Sequence, residues 1–321
     1  MCQLQEEAGE LLEVQEVQEE AGQLWEVQEV AGRGLGVVAR VALAPGTLVM
    51  EDRPLVTVPA HIHQPYYTLS PTQEAAGSDL QSHLAASVAA LGEEDRRSFW
   101  SLEDCKAGGG TKTECGVYFT NCYMLGESRA ASTGILPLIS RVNHSCRPNT
   151  EFSWSQSRGL EELRVSRAIS PGEELTDCYL DLTVQGRDTR AGRRELLQAA
   201  YGFWCQCEVC GLQGEEGEQE EQLRGEHSRL NRPGAGQELG PMLARAERLL
   251  ELRTLLHFKL AHRLEAMESV FGLSVVCGQD WRARQVARLG VATATIRLGA
   301  GHPTVEEWAS RERDPTGYML S

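Results

Sequence analysis

Three cysteines stand within six residues at Cys205-Gln206-Cys207-Glu208-Val209-Cys210, between Trp204 and Gly211. That spacing lets three thiolates take three corners of a zinc tetrahedron. The fourth ligand has to come from elsewhere, and spacing alone leaves Cys115, Cys122, Cys146 and Cys178 open. The chain carries ten cysteines and opens MCQLQEEAGE, without a basic n-region or an apolar h-region. In that context thiols read as reduced groups or metal ligands rather than a disulfide frame, and the protein as intracellular. Cys105, Cys122 and Cys277 lack ligand spacing and read as core thiols. His61-Ile62-His63 has metal-like spacing but no carboxylate or cysteine partner nearby, and reads as loop. No Gly-x-x-x-x-Gly-Lys-Ser/Thr segment occurs, so nucleotide hydrolysis has no support.

Elements must hold such a cluster. At 321 residues the chain has length for about two domains. Its 41% hydrophobic content supplies a sizeable core, and no apolar run is long enough to span a bilayer. The net charge of −15 is local: residues 1–30 hold nine Glu and no Lys or Arg, and residues 213–226 hold six Glu and one Arg. The remainder is close to neutral, which excludes the clustered cations of a nucleic-acid binder, and both acidic runs read as solvated tether. Glu13-Val14-Gln15-Glu16-Val17 returns as Glu26-Val27-Gln28-Glu29-Val30, and the second copy runs into Gly32 as a candidate first strand.

Short strands are expected at 35–43, 47–51, 55–58, 149–154, 160–169 and 173–179, bounded by Pro and Gly turns. Leu80, Leu84, Val88, Leu91, Phe99 and Leu102 change the period to that of one or two helices. Asp188 or Thr189 is placed to cap a helix reaching Tyr201, and residues 240–298 read as helical throughout. The division expected is an acidic Glu/Gln-rich tail over 1–30, a β-rich body over 31–212 with an insertion at 60–115, a Glu/Gly-rich linker at 213–239 and a helical region at 240–321. The fold class is α+β.

Within the body, Ser140-Arg141-Val142-Asn143-His144-Ser145-Cys146-Arg147-Pro148-Asn149 is followed thirty residues on by Gly172-Glu173-Glu174-Leu175-Thr176-Asp177-Cys178-Tyr179. With Gly32-Arg33-Gly34-Leu35 ahead of them and the Cys-x-Cys-x-x-Cys behind, these segments resemble a SET-domain protein methyltransferase over 31–212, with a post-SET segment at 201–212. Thr120-Asn121-Cys122 and Tyr201-Gly202-Phe203-Trp204 are most similar to the SET and MYND (SMYD) group, whose helical tail is tetratricopeptide-like. The MYND finger would lie in the 60–115 insertion, where only Cys105 and Cys115 occur, so its ligand set is missing.

The resemblance implies a protein-lysine N-methyltransferase that uses S-adenosyl-L-methionine and a structural zinc ion. Its cofactor pocket would be lined by Gly32, Arg33, Gly34, Leu35, Asn121, Asn143, His144, Tyr179 and Phe203, with Gly32 and Gly34 admitting the cofactor where a Cβ would collide. Tyr179 would be the catalytic tyrosine and Tyr201 a second tyrosine of the lysine channel. Cys146 would join Cys205, Cys207 and Cys210 on the metal. The implied acceptor is a lysine-bearing protein or peptide, histones among the candidates, met by a monomer in the nucleus, the cytoplasm or both, without direct nucleic-acid or membrane binding. The helical region would form one wall of the substrate cleft. Asp177 departs from the family pattern, two residues before the tyrosine, and is expected to face solvent or disturb the channel. The other reading is a catalytically inactive SET and helical-repeat interaction module that keeps its zinc.

Overall fold

Trp25–Val30 (β1) pairs antiparallel with Gly34–Ala39 (β2), from Trp25↔Ala39 to Val30↔Gly34. The second copy of the Glu-Val-Gln-Glu-Val repeat is therefore a strand. This computed structural model describes residues 24–62, 78–126, 131–184, 186–232 and 238–320. The first copy of the repeat, most of the acidic tail and His63 lie outside them. Gly32 and Gly34 adopt φ of 72° and 70° in the turn, the left-handed region that glycine enters without strain. A Cβ at either would meet no protein atom within 4 Å, so the space beside the turn is open.

The tight position is Gly36. A Cβ there would stand 2.6 Å from Glu174 Oε1, 2.8 Å from Asn143 Nδ2 and 2.8 Å from Val30 Cγ2. Gly36→Ala will force those groups apart and lower stability by about 1–3 kcal/mol, read by urea denaturation. An unchanged midpoint would show that the strands yield freely.

Three small sheets surround the first core. Glu174–Asp177 (β10) joins β2 on one side and Asn143–His144 (β7) on the other, the latter in parallel, so that Thr176 faces Asn143 and Asp177 faces His144. The second sheet orders Leu48–Asp52 (β3), Leu160–Val165 (β9) and Thr150–Ser155 (β8). The third orders Val56–Val58 (β4), Thr133–Ile135 (β6) and Cys122–Met124 (β5). The expected strands are all present, those at 47–51 and 149–154 shifted by one residue and the others shorter. That reaching Ile169 stops at Val165, and the one reaching Leu43 stops at Ala39, with Leu43 and Ile169 meeting in an isolated bridge.

The insertion contributes Ser78–Ala90 (α1) and Glu93–Ser101 (α2), whose Leu84, Val88 and Phe99 bury against Val58 and Tyr118. Glu114–Asn121 (α3) follows. Arg190–Tyr201 (α4) starts on Thr189, whose side chain accepts from Gly192 N, and ends on Gly202 at φ 77°. That left-handed cap redirects the chain between Tyr201 and Phe203.

Beyond Glu208–Gly211 (α5), the segment 213–239 departs from the expected linker: Gly214–Leu230 (α6) is a helix. Its acidic run is not solvated throughout. Glu220 is buried, pairs with Arg224 at 2.8 Å and Arg147 at 3.2 Å, and so docks the helix on the body. The C-terminal region comprises Leu239–Leu255 (α7), Leu260–Val276 (α8), Asp280–Leu298 (α9), Pro303–Arg313 (α10) and Pro315–Leu320 (α11), with α7 to α10 around a core of Leu250, Met267, Phe271 and Trp308. The expected continuous helicity breaks at 256–259 and 277–279. Among the described residues no helix is long and apolar enough to cross a membrane.

This region locks onto the β-rich body through charge. Glu151 on β8 accepts from Leu260 N at 2.5 Å and Ala261 N at 2.9 Å, capping α8, and pairs with Arg297 of α9 at 2.9 Å. The sequence contains three lysines, and each ammonium is engaged. Lys106 donates to Ala199 and Ala200 carbonyls, Lys112 to those of Trp100 and Leu102, and Lys259 pairs with Asp177.

Candidate active site and metal centre

The four cysteines expected on the metal come together. Cys146 follows β7, Cys205 and Cys207 follow α4, and Cys210 lies in α5. Their sulfurs all lie within 4.8 Å of one another, with Cys146 Sγ 3.7 Å from Cys210 Sγ. Thiolates about 2.3 Å from a tetrahedral zinc stand about 3.8 Å apart, so the spacing fits. Cys146 N also donates to Cys207 Sγ at 3.4 Å.

The surroundings suit an anionic cluster. Arg193 is 1% exposed, its guanidinium faces the Cys146 and Cys210 thiols, and among the described residues no carboxylate pairs with it. Its Nη1 is held by the carbonyls of Arg187 and Asp188. Arg194 reaches Cys205 and Cys210 carbonyls at 2.9 and 3.0 Å. A buried guanidinium needs a counter-charge, and four thiolates around a divalent metal carry a net −2. The donor set could thus hold a metal ion.

On the other side of Cys146 the aromatic residues assemble. Tyr179 Oη donates to Val142 O at 2.8 Å, and Tyr179 N donates to His144 Nδ1 at 3.0 Å. The Tyr179 ring lies 5.0 Å from Tyr201, 5.3 Å from His144 and 6.5 Å from Phe203. Burial pushes the phenols of Tyr179 and Tyr201 well up, and pushes the His144 imidazole down to about 3. Both tyrosines are therefore neutral hydroxyls and His144 a neutral acceptor.

The glycine turn reaches the same place. Arg33 donates to the His144 carbonyl and pairs with Glu174 Oε2 at 2.5 Å. Asn143 Nδ2 donates to Glu174 Oε1 at 2.8 Å and to Leu35 O at 3.2 Å. Glu174 thus joins the turn to β7. It went unassigned in the sequence, although it lies in the quoted Gly172–Tyr179 segment. The exposed turn at 32–35 and half-buried Asn143, Tyr179, Tyr201 and Phe203 leave one solvent-accessible edge on this cluster.

Asn121 is held by the fold, and Ser140 Oγ donates to its carbonyl at 3.4 Å. It is buried, and its amide donates to Glu103 O and Val117 O, both at 2.7 Å, so its donors are spent within the fold. Asp177 neither faces solvent nor stands alone: it is 2% exposed, with Lys259 Nζ 2.7 Å from its Oδ1. That partner is 82 residues distant, and nothing local in the sequence points to it.

A profile of the SET-domain family matches residues 34–180, the span from the glycine turn to the residue after Tyr179. The chain carries a SET domain. SMYD methyltransferases are among its homologues. The histone-lysine N-methyltransferase set5 of Schizosaccharomyces pombe is 23% identical over 184 residues, covering 57% of this chain and 49% of that protein. Human histone-lysine N-methyltransferase SMYD3 is 38% identical over 98 residues, 30% of this chain and 21% of that protein. Chicken N-lysine methyltransferase SMYD2 is 30% identical over 128 residues, 40% of this chain and 27% of that protein. The chain thus spans half or less of the length of these relatives. A solved SET domain of LSMT bound to lysine and AdoHcy aligns over 98% of this chain at 11% identity, with a TM-score of 0.33. The SET domain here has short strands, a helical C-terminal region and a four-cysteine group.

Proposed function

We propose that this protein is a protein-lysine N-methyltransferase that uses S-adenosyl-L-methionine and is closed by a structural zinc ion on Cys146, Cys205, Cys207 and Cys210. The observation that carries the reading is the convergence of Tyr179, Tyr201, Phe203, Asn143 and His144 at one edge of the SET domain, backed by the cysteine cluster. S-adenosylmethionine supplies an electrophilic methyl group: the new N–C bond forms as the C–S bond breaks, and the bonding pair stays on sulfur. The rest is the work of this chain.

Arg33, Glu174 and Asn143 shape the cofactor edge, and Phe203 offers a ring. The Tyr179 hydroxyl, fixed by its bond to Val142 O, presents an oxygen lone pair for C–H···O contacts that orient the methyl group. Alignment of nitrogen, carbon and sulfur is the main source of rate. The acceptor amine must be neutral, although a free lysine has a pKa of about 10.4, and a dry channel lowers it. A zinc ion held by Cys146, Cys205, Cys207 and Cys210 would have a structural part, tying 201–210, with Tyr201 and Phe203, to the Asn143-His144 strand. Residence in the nucleus, the cytoplasm or both fits a protein whose described cysteines form no disulfide. The acceptor is a protein lysine, with histones as first candidates on the names of the relatives.

Calorimetry with S-adenosylmethionine, followed by tritiated methyl transfer onto core histones and cell lysate, tests the reading. Binding together with labelled acceptor lysine is expected. Binding without transfer to any protein would favour the inactive interaction module.

A further inference from the structure

Asp177 and Lys259 form a buried ion pair beside the aromatic cluster. Asp177 lies on β10, two residues before Tyr179; burial is the main cause opposing ionisation of the Tyr179, Tyr201 and Tyr123 hydroxyls, and the Asp177 charge adds a smaller part to each. A carboxylate that three tyrosines of one cluster all feel is within electrostatic reach of any amine they surround. Lys259 arrives from the segment before α8, with Nζ 2.7 Å from Asp177 Oδ1 and 4.5 Å from the centre of the Phe152 ring. Phe152 in turn packs edge-on against Tyr123 at 5.1 Å.

The neighbouring charges are already balanced. Glu151 on β8 is matched by Arg297 of α9. Glu161 on β9 is 1% exposed, and burial pushes its carboxyl up to about 8, so it is mostly protonated at pH 7 and gains charge as the pH rises through 8. The Cys178 thiol is pushed up to about 12 by burial and is neutral as well. His144, opposite Asp177 on β7, is occupied by Tyr179 N, which donates to its Nδ1 at 3.0 Å. Burial pushes the Asp177 carboxyl up as well, but Lys259 at 2.7 Å opposes that shift, so Asp177 is the carboxylate that Lys259 answers.

An unpaired carboxylate here would favour the ammonium form of an incoming lysine and so oppose the deprotonation that attack on the methyl group requires. We propose that Lys259 is a positioning residue of electrostatic kind: it neutralises Asp177, so that the SET domain holds its acceptor amine as the free base only when the helical region is docked. The inference rests on the lysine methyltransferase reading. It makes residues 259–260 the joint through which the helical region acts on the chemistry, since the amides capped by Glu151 begin next to Lys259.

The test is calorimetric binding of n-butylamine in the presence of S-adenosylhomocysteine between pH 7 and pH 10, on the full chain. Lys259→Met will bind the ammonium about tenfold more tightly at pH 7 and move the amine's titration up by about one pH unit. Asp177→Asn will shift both the other way, because Lys259 is then the unpaired charge. The double variant will return to within about threefold of wild type, and Lys259→Arg will match wild type. Opposite signs in the two single variants are what a merely structural role cannot produce. Parallel losses, or no movement, overturn the inference while S-adenosylhomocysteine still binds. Failure of wild type to bind S-adenosylhomocysteine overturns the methyltransferase reading, and this inference with it. Should Lys259→Met not fold, the downward shift in Asp177→Asn and the wild-type behaviour of Lys259→Arg carry the same decision.

Discussion

Tyr179→Phe will bind S-adenosylmethionine within about threefold of wild type and transfer methyl groups on the order of 10²-fold more slowly or worse. The substitution keeps the ring, which is held by Tyr201 at 5.0 Å and His144 at 5.3 Å. It removes the oxygen that is anchored on Val142 O at 2.8 Å. What disappears is a group aimed at the reacting carbon, so the loss should fall on the rate constant rather than on cofactor affinity. Calorimetry and initial rates on the same preparation separate the two. Transfer at the wild-type rate would remove Tyr179 from the chemistry, and a loss confined to cofactor binding would recast it as part of the pocket wall.

Cys146→Ser will lose its metal, its stability and its activity together. Wild type is expected to hold about one zinc ion per chain, and the variant close to none. Structural zinc sites contribute on the order of 10 kcal/mol to folding, and a serine hydroxyl at neutral pH is a poor substitute for a thiolate. The loss reaches the active site because Cys146 follows His144 by two residues, while Cys205 and Cys207 follow Tyr201 and Phe203. Elemental analysis and thermal melts read the effect directly. Full metal content in the variant would refute the ligand assignment.

Much of this was legible in the chain. The Cys-x-Cys-x-x-Cys spacing marks three ligands because neighbouring thiols need no folding to be near one another. The period change at Leu80, Leu84 and Val88 marks the insertion helices because burial repeats with the helical turn. The fourth thiol was not fixed by spacing, since it lies 59 residues before Cys205 and only the resemblance selected it.

The errors share a cause. Residues 213–226 read as solvated tether because two of the partners of Glu220 and Glu226, Arg147 and Arg248, lie outside the run, and Arg224 alone lies within it. Asp177 read as a misfit because its cation comes from the helical region. Charge pairing across 22 to 82 residues leaves no periodic trace in a sequence, whereas apolar burial does.

All but three of the 31 basic residues are arginine, and no lysine is fully exposed. Guanidinium stays protonated at any working pH and does not act as a nucleophile in this setting. A catalyst that alkylates amines encounters its own surface at every collision with a second copy. Arginine gives this surface solubility without offering a reactive nitrogen, and the three lysines are withdrawn into internal bonds. For the proposed activity, self-modification is suppressed by composition, leaving the bound methyl donor for other proteins.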